Sequence, residues 1–371
     1  MLKTLLKDIF TSPRPIEDTR GAVSDNFPDR DRWFQQLIVH MFQLMHNSES
    51  DNFDVARYRN VAVNAFFYEM HAAYFTFFLK NVEHFFEASN LLEDETSKEL
   101  YQQLILYRIL GHLHVRLPFN TAENRAHLLT AESWRMEDTE DEGAFGPLSI
   151  FLVPTTRNNI RVKGWKENVT WTFLYRQYYF ERNGVKISPQ SGDHVIDAGG
   201  CFGDTALGFA DAVGEQGHVY VFDPLPKHCA IMRQVQVLNP ALAPRISVFP
   251  IGLSDVGNDV APLLYNNVIN PGARVIADEM PMATIDEVAA SNDIPRIDFI
   301  KMDIEGSELS ALRGAESTIR RWKPKLAISL YHRPEDFFSI PLWIESLGLG
   351  YRYFIEHYSI HQEETVLFAM V

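Results

Sequence analysis

The run from His194 to Asp204, His-Val-Ile-Asp-Ala-Gly-Gly-Cys-Phe-Gly-Asp, brings a short apolar stretch to an acid and then to a cluster of glycines. Val195 and Ile196 have the character of a buried parallel strand with Asp197 at its carboxyl end. Gly199, Gly200 and Gly203 let the backbone turn tightly and come close to a ligand before a helix begins near Asp204. The spacing is Asp-x-Gly-x-x-x-Gly. A dinucleotide fold wants Gly-x-Gly-x-x-Gly so that a pyrophosphate can rest on the helix N-terminus, and a carboxylate beside that turn repels phosphates. S-adenosylmethionine carries no phosphate and offers an ammonium, a sulfonium and a carboxylate. An acid followed by bare backbone N–H groups suits that zwitterion, and a nicotinamide dinucleotide is the second reading.

Ligands of open α/β sheets bind beyond the carboxyl ends of the strands, so the residues that finish other strand-like runs come next. Asp223, in Val-Phe-Asp-Pro, has the position of an acid that accepts both ribose hydroxyls of an adenosine, or else of an acid that caps the following helix. Gly252 follows the next apolar run. Asp303 and Glu305, in Lys-Met-Asp-Ile-Glu-Gly, share one face if strand geometry continues through them, which suits a metal, a substrate hydroxyl or the sulfonium. Alternatively Glu305 caps a helix begun at Gly306 while Asp303 holds the loop. His332 follows Tyr331 and precedes Arg333-Pro334, so it is expected at the cleft, where a group titrating near neutrality is matched to proton transfer. The candidate catalytic set is therefore His332, Asp303 and Glu305, and the cofactor-binding set is Asp197, Gly199, Gly203, Asp223 and Gly252. No metal site is assigned, since the remaining histidines lack ligand spacing.

These residues need a scaffold that lines up strand ends. From Asp193 onward, strand-like runs at His194–Ala198, His218–Phe222, Arg245–Pro250, Ile297–Met302 and Leu326–Tyr331 alternate with helical patterns, which predicts a doubly wound α/β domain over 191–371. Thr284-Ile-Asp-Glu has capping-box spacing, and Gly214 to Gly217 supplies a turn. Runs at Gly350–Glu356 and Glu364–Met370 are too close for a crossover helix, so they pair antiparallel if they are neighbours. The sheet is thus expected to be mainly parallel with a late antiparallel strand.

Residues 1–142 are expected to form a mainly helical domain. Met1–Phe10 has the pattern of a short amphipathic helix rather than a signal peptide, and apolar periodicity continues from Trp33 to Met45. The aromatic-rich stretch Val55–Phe86 is broken by Asn64, Glu69, His71 and Lys80, so it is expected as buried helix faces that partly cover the cleft, with an interfacial membrane helix as the other reading and no transmembrane span. Thr96-Ser-Lys-Glu has capping-box spacing ahead of a helix ending near Gly111. The acidic run Glu137–Glu142 is taken as a solvated loop and boundary, and 143–190 as a connector with some strand.

With 371 residues, 46% of them apolar, the chain has material for about two folded domains. A net charge of −15 argues against nucleic acid as a partner. Two cysteines exclude a disulfide framework and fit a reducing cytoplasm. The expected partner is a small-molecule or glycan acceptor, and the sequence is compatible with a homo-oligomer.

The carboxyl-terminal half resembles the FkbM family of S-adenosylmethionine-dependent methyltransferases. The resemblance rests on Val195-Ile-Asp-Ala-Gly-Gly-Cys-Phe-Gly-Asp-Thr205, Phe222-Asp-Pro224, Gly252-Leu-Ser-Asp255, Thr284-Ile-Asp286, Lys301-Met-Asp-Ile-Glu-Gly-Ser-Glu308, Leu312-Arg-Gly-Ala315 and Glu364-Thr-Val-Leu367. It spans roughly Tyr178 to Val371. It implies a Rossmann-like domain that methylates hydroxyls, typically on sugars or secondary metabolites. Two positions depart from the family pattern: Asp223 stands for the more usual glutamate, and Ser329-Leu-Tyr-His332 stands where many members carry a glutamate after the fifth strand. An NAD-dependent oxidoreductase or epimerase would need Gly-x-Gly-x-x-Gly and a Tyr-x-x-x-Lys relay, which are missing from suitable places. The non-catalytic alternative is an S-adenosylmethionine-binding sensor or assembly protein.

Overall fold

The computed structural model describes residues 29–49, 52, 65–141, 145–257, 259–267 and 270–371. The helix expected over Met1–Phe10 and the start of the aromatic stretch at Val55 lie outside the described residues.

Seven strands form the main sheet: β1 His194–Ala198, β2 His218–Phe222, β3 Ile246–Phe249, β4 Phe299–Met302, β5 Lys325–Ser329, β6 Arg352–His357 and β7 Thr365–Met370. Their order across the sheet is β6-β7-β5-β4-β1-β2-β3. Strands β1 to β5 are mutually parallel, and β7 runs antiparallel to both β5 and β6. The strands read as near-continuous apolar runs because both faces are covered, as parallel sheets require. Strand order reverses beside β1, so the ends of β1, β2 and β4 open onto one crevice.

Local chemistry sets the helix boundaries. Gly203, at φ 86°, ends the glycine turn, and the helix Asp204–Val213 starts on the next residue. The Thr284 hydroxyl accepts the Glu287 N–H while the Glu287 carboxylate accepts the Thr284 N–H, closing the expected capping box ahead of Ile285–Ser291. The helix Glu95–Leu110 begins slightly before the expected Thr96, because the Asp94 carboxylate is its cap and accepts the Ser97 N–H at 2.7 Å. It stops at Gly111, whose φ of 80° lets its N–H reach the Tyr107 carbonyl.

The amino-terminal part comprises helices Asp29–Leu44, Ala65–Lys80, Val82–Leu91, Glu95–Leu110 and Ala122–Ser133. The first four share one hydrophobic cluster with the sheet, while Ala131 of the fifth packs in a second. Phe78, Phe85 and Leu104 pack in the same cluster as Phe337, Ile340 and Ile344 from the helix Asp336–Ser346. Arg182 ties the two parts together, reaching Asp94 at 2.9 Å and Glu356 at 2.7 Å.

The acidic run beginning at Glu137 is not a loop. Arg135–Asp141 forms an edge strand against Pro147–Pro154, which also pairs with Asn159–Gly164. An edge strand can keep its charges turned to water, which is how a charge run and a strand coexist. After this sheet comes the helical turn Lys166–Val169, continuous with a turn of π-helix at Thr170–Tyr175. A second feature without a sequence expectation is the antiparallel pair Asp259–Asn267 and Asn270–Ala283, attached in parallel to Gly252–Leu253.

Candidate functional site

The glycine turn after β1 is fixed from beneath. Lys301, 1% exposed, lies directly opposite Asp197 in the β4–β1 register. Its Nζ is 3.0 Å from the Asp197 carboxylate and donates to the carbonyls of Gly199 at 2.7 Å and Ala198 at 3.1 Å. Burial works against the lysine charge, but Asp197 and Asp303 outweigh it and hold its pKa above the ordinary value. The Thr205 hydroxyl donates to the other Asp197 oxygen at 2.7 Å. Asp197 is therefore fully buried, engaged by protein groups, and away from the cavity lining. Gly203 lies behind the turn, against Met232 and Val235. Gly199, at φ 82°, admits no side chain, since a Cβ there would meet the Asp303 carbonyl at 1.9 Å.

Above the turn lies a cavity of about 560 Å³, lined by Gly199, Asp223, Gly252, Asp303 and Glu305 among the expected residues. That volume is in the usual range for a small-molecule site. Asp223, at the end of β2 and 5% exposed, accepts the backbone N–H groups of Cys201 and Leu225, each at 2.9 Å, and lies 2.9 Å from the His228 ring. Pro224, Leu225, Ile251, Leu253, Met280 and Met282 make an apolar slot beside it. The two methionines come from the hairpin strand that sequence patterning left unassigned.

The opposite end is a charge cluster. Asp303 accepts the hydroxyls of Tyr178 at 2.7 Å and Tyr331 at 2.9 Å, one on each oxygen. Burial disfavours its charge, yet His332, Lys301 and the two hydroxyls prevail and hold its pKa below the carboxylate norm. Strand β4 stops at Met302 and Glu305 takes a left-handed φ of 56°, so the expected strand alternation does not carry the pair. Both carboxylates nonetheless converge on one nitrogen, with His332 Nε2 3.4 Å from Asp303 and 3.7 Å from Glu305. His332 Nδ1 is 2.8 Å from Glu308, which is fully buried at the start of the helix Glu308–Arg313 and accepts the Ile304 N–H.

Burial alone would lower the His332 pKa, but Glu308 first, then Asp303 and Glu305, raise it to about 10. The imidazole thus holds its proton through neutral pH, and it sits just behind the lining rather than in it. Asp303, Glu308 and His332 offer ligand atoms within 4.8 Å of one another. The imidazolium already supplies the positive charge between those two carboxylates.

The remaining wall comes from the connector: Trp165, Glu167, Asn168, Trp171, Thr172, Gln177 and Tyr178, with Glu364 from the β6–β7 loop. Gln177 donates to Glu364 at 2.6 Å, and Trp171 donates to the Tyr358 carbonyl at 3.1 Å. Among the described residues, none of the amino-terminal helices lines the cavity; their aromatics pack instead on Phe338 and its neighbours, against the expectation that they cover the cleft. Lys301, Tyr178 and Glu308 were not expected as site residues. Lys301 alone left a signal, a cation inside an apolar strand that demands a buried partner.

Residues 197–353 match the methyltransferase FkbM domain. Over that stretch the chain is similar to the FkbM methyltransferase domain. In solved structures it is similar to methyltransferase FkbM from Methylobacillus flagellatus KT, with 20% identity, a TM-score of 0.51, and coverage of 79% of this chain and 60% of that one. The chain thus spans less than two thirds of that protein's length. It is also similar to Aeropyrum pernix fibrillarin in complex with S-adenosyl-L-methionine, with 12% identity, a TM-score of 0.34, and coverage of 64% of this chain and 99% of that one. No curated protein matches the sequence.

The likeness to FkbM methyltransferases implies S-adenosylmethionine as cofactor, and the residues present fit it. Asp223 offers carboxylate lone pairs for ribose hydroxyls, the apolar slot suits a purine, and the anionic far end suits a sulfonium. Among the described residues no helix is long and apolar enough to cross a membrane.

Replacing Lys301 by Met strands the buried Asp197 charge and is expected to lower unfolding free energy by about 3–5 kcal/mol in a denaturant titration. Pairing it with Asp197→Leu should recover most of that loss; a single variant as stable as wild type removes the supporting role. For His332 the folded pKa lies above the ordinary 6.5, so its stabilising contribution is complete below pH 6.5 and disappears as pH rises through about 10. Nuclear magnetic resonance should find the ring protonated at pH 8, and a midpoint near 6.5 contradicts the three-carboxylate arrangement.

Proposed function

We propose that the protein is an O-methyltransferase acting on a hydroxyl of a sugar, glycan or secondary metabolite, with Asp223 and Gly252 at the nucleoside end of the cavity and Asp303 and Glu305 at the acceptor end. The observation that carries this reading is that Asp223 at one end and Asp303 with Glu305 at the other line one cavity. Bound S-adenosylmethionine supplies an electrophilic methyl group on its sulfonium.

The chain's own residues then have two tasks, orientation and proton removal. Asp303 is clamped by Tyr178 and Tyr331 and kept ionised, so it is fitted to orient a hydroxyl and to favour positive charge nearby. His332, expected from sequence as a base, is better assigned as the imidazolium that gathers Asp303, Glu305 and Glu308. Glu305 is half-exposed, lines the cavity and among the described residues pairs only with that distant histidine, which makes it the group freest to take the acceptor's proton. Trp165 and Trp171 present apolar faces beside Glu167, Asn168 and Gln177, a mixture that suits a hydroxylated ring.

Mass spectrometry of glycans and metabolites from producing cells, with and without the protein, should reveal a methyl-sized loss on the acceptor. With that acceptor, Glu305→Gln is expected to lower kcat by about 10²- to 10⁴-fold while S-adenosylhomocysteine affinity stays within about twofold and EDTA has no effect. Activity near wild type in Glu305→Gln sinks the base assignment, and methylation at nitrogen or carbon sinks the hydroxyl reading.

A further inference from the structure

Asp204, outside the roles given to Asp223, Asp303 and Glu305, is a buried acid on the cavity lining. It is the first residue of the helix Asp204–Val213 and only 4% exposed. One of its oxygens accepts the Thr172 hydroxyl from the π-helical turn. Among the described residues no lysine, arginine or histidine nitrogen pairs with it. The nearest cation in the turn is Lys301, and its nitrogen is spent on Asp197 and the carbonyls of Ala198 and Gly199. Burial pushes the Asp204 pKa up to about 6. Among the described residues, the neighbouring Asp197 and Asp204 thus bring two buried carboxylates to one buried cation, Lys301.

An unmatched acid beside a ligand cavity calls for a cation from the ligand. The cofactor brings two. Its sulfonium has to sit where the methyl group faces the acceptor, toward Asp303 and Glu305. With the ribose on Asp223, the amino-acid tail must cross the glycine turn, where Gly199, Cys201 and Asp204 line the cavity floor. A bare helix N-terminus would attract the tail's carboxylate. An aspartate as the first helical residue reverses that preference and selects the ammonium.

We propose that Asp204, oriented by Thr172, binds the α-ammonium of S-adenosylmethionine and fixes which way round the amino-acid tail lies. The inference rests on the cofactor assignment and adds a recognition residue to it. It makes the amine a determinant of binding for both the methylated cofactor and its demethylated product.

Isothermal titration with two probes tests this: S-adenosylhomocysteine, and 5′-S-(3-carboxypropyl)-5′-thioadenosine, which lacks only the α-amine. The wild-type chain should prefer the amine-bearing probe by about 10- to 100-fold, the range for one charge-assisted hydrogen bond. Asp204→Asn should lose a similar factor for S-adenosylhomocysteine, little for the desamino probe, and so cease to distinguish them. Equal affinity of the wild type for both probes overturns the proposal whether or not the variant folds. A folded Asp204→Asn protein that still discriminates also overturns it while leaving the cofactor assignment intact. Failure of the wild type to bind either probe removes the cofactor assignment and the proposal together.

Discussion

The buried pair between Lys301 and Asp197 is the constraint on which the site depends. Two charges taken out of water are tolerated only when their geometry is good and their remaining hydrogen-bonding capacity is met. Here Nζ also satisfies two carbonyls of the turn, and Thr205 satisfies the second carboxylate oxygen. The pair bolts β4 to β1 at the point where the chain leaves the sheet. It thereby sets the shape of the glycine turn and the position of Asp303, which follows Lys301 by two residues and whose carbonyl packs against Gly199. The cavity floor at Gly199 and the position of Asp303 are thus set by one interaction.

Above that floor the charges are segregated. At one end Asp223 is held by the backbone N–H groups of Cys201 and Leu225 and by the His228 ring, which fix its direction. At the other end the acids are gathered around His332, so that a concentration of carboxylates that would otherwise repel one another becomes a stable, oriented group. The connector closes the cavity from above, and the amino-terminal helices brace the sheet from behind through the cluster around Phe85 and Phe337. Supporting the fold and shaping the acceptor wall are thus separate tasks given to separate stretches of chain.

Much of this was legible in the sequence, and the parts that were not share a physical reason. Strands β1 and β2 have the boundaries that the apolar runs His194–Ala198 and His218–Phe222 imply, because glycine and proline punctuate both. Asp223, Asp303 and Glu305 are strand-end acids that topology alone sends to the crevice. Asp197 is also a strand-end acid, but in a sheet buried on both faces its direction depends on the neighbouring strand, and the pairing with Lys301 exists only once β4 lies beside β1. Tyr178 meets Asp303 from a distant segment with no local pattern to announce it, and Glu308, though inside the Lys301–Glu308 stretch, meets His332 only once the fold brings them together. The hairpin Asp259–Ala283 contains Pro262, Pro271 and Pro281, which argue against a regular strand, and its pairing is correspondingly irregular.

If the cavity above the Lys301-braced turn is the cofactor site, the ribose rests on Asp223. Calorimetric titration of S-adenosylmethionine into wild type and Asp223→Ala tests it most directly. Loss of charge-assisted bonds to two hydroxyls should weaken binding by about 1–3 kcal/mol, with stoichiometry unchanged. Equal affinity in a folded Asp223→Ala protein would contradict the claim and send the nucleoside elsewhere.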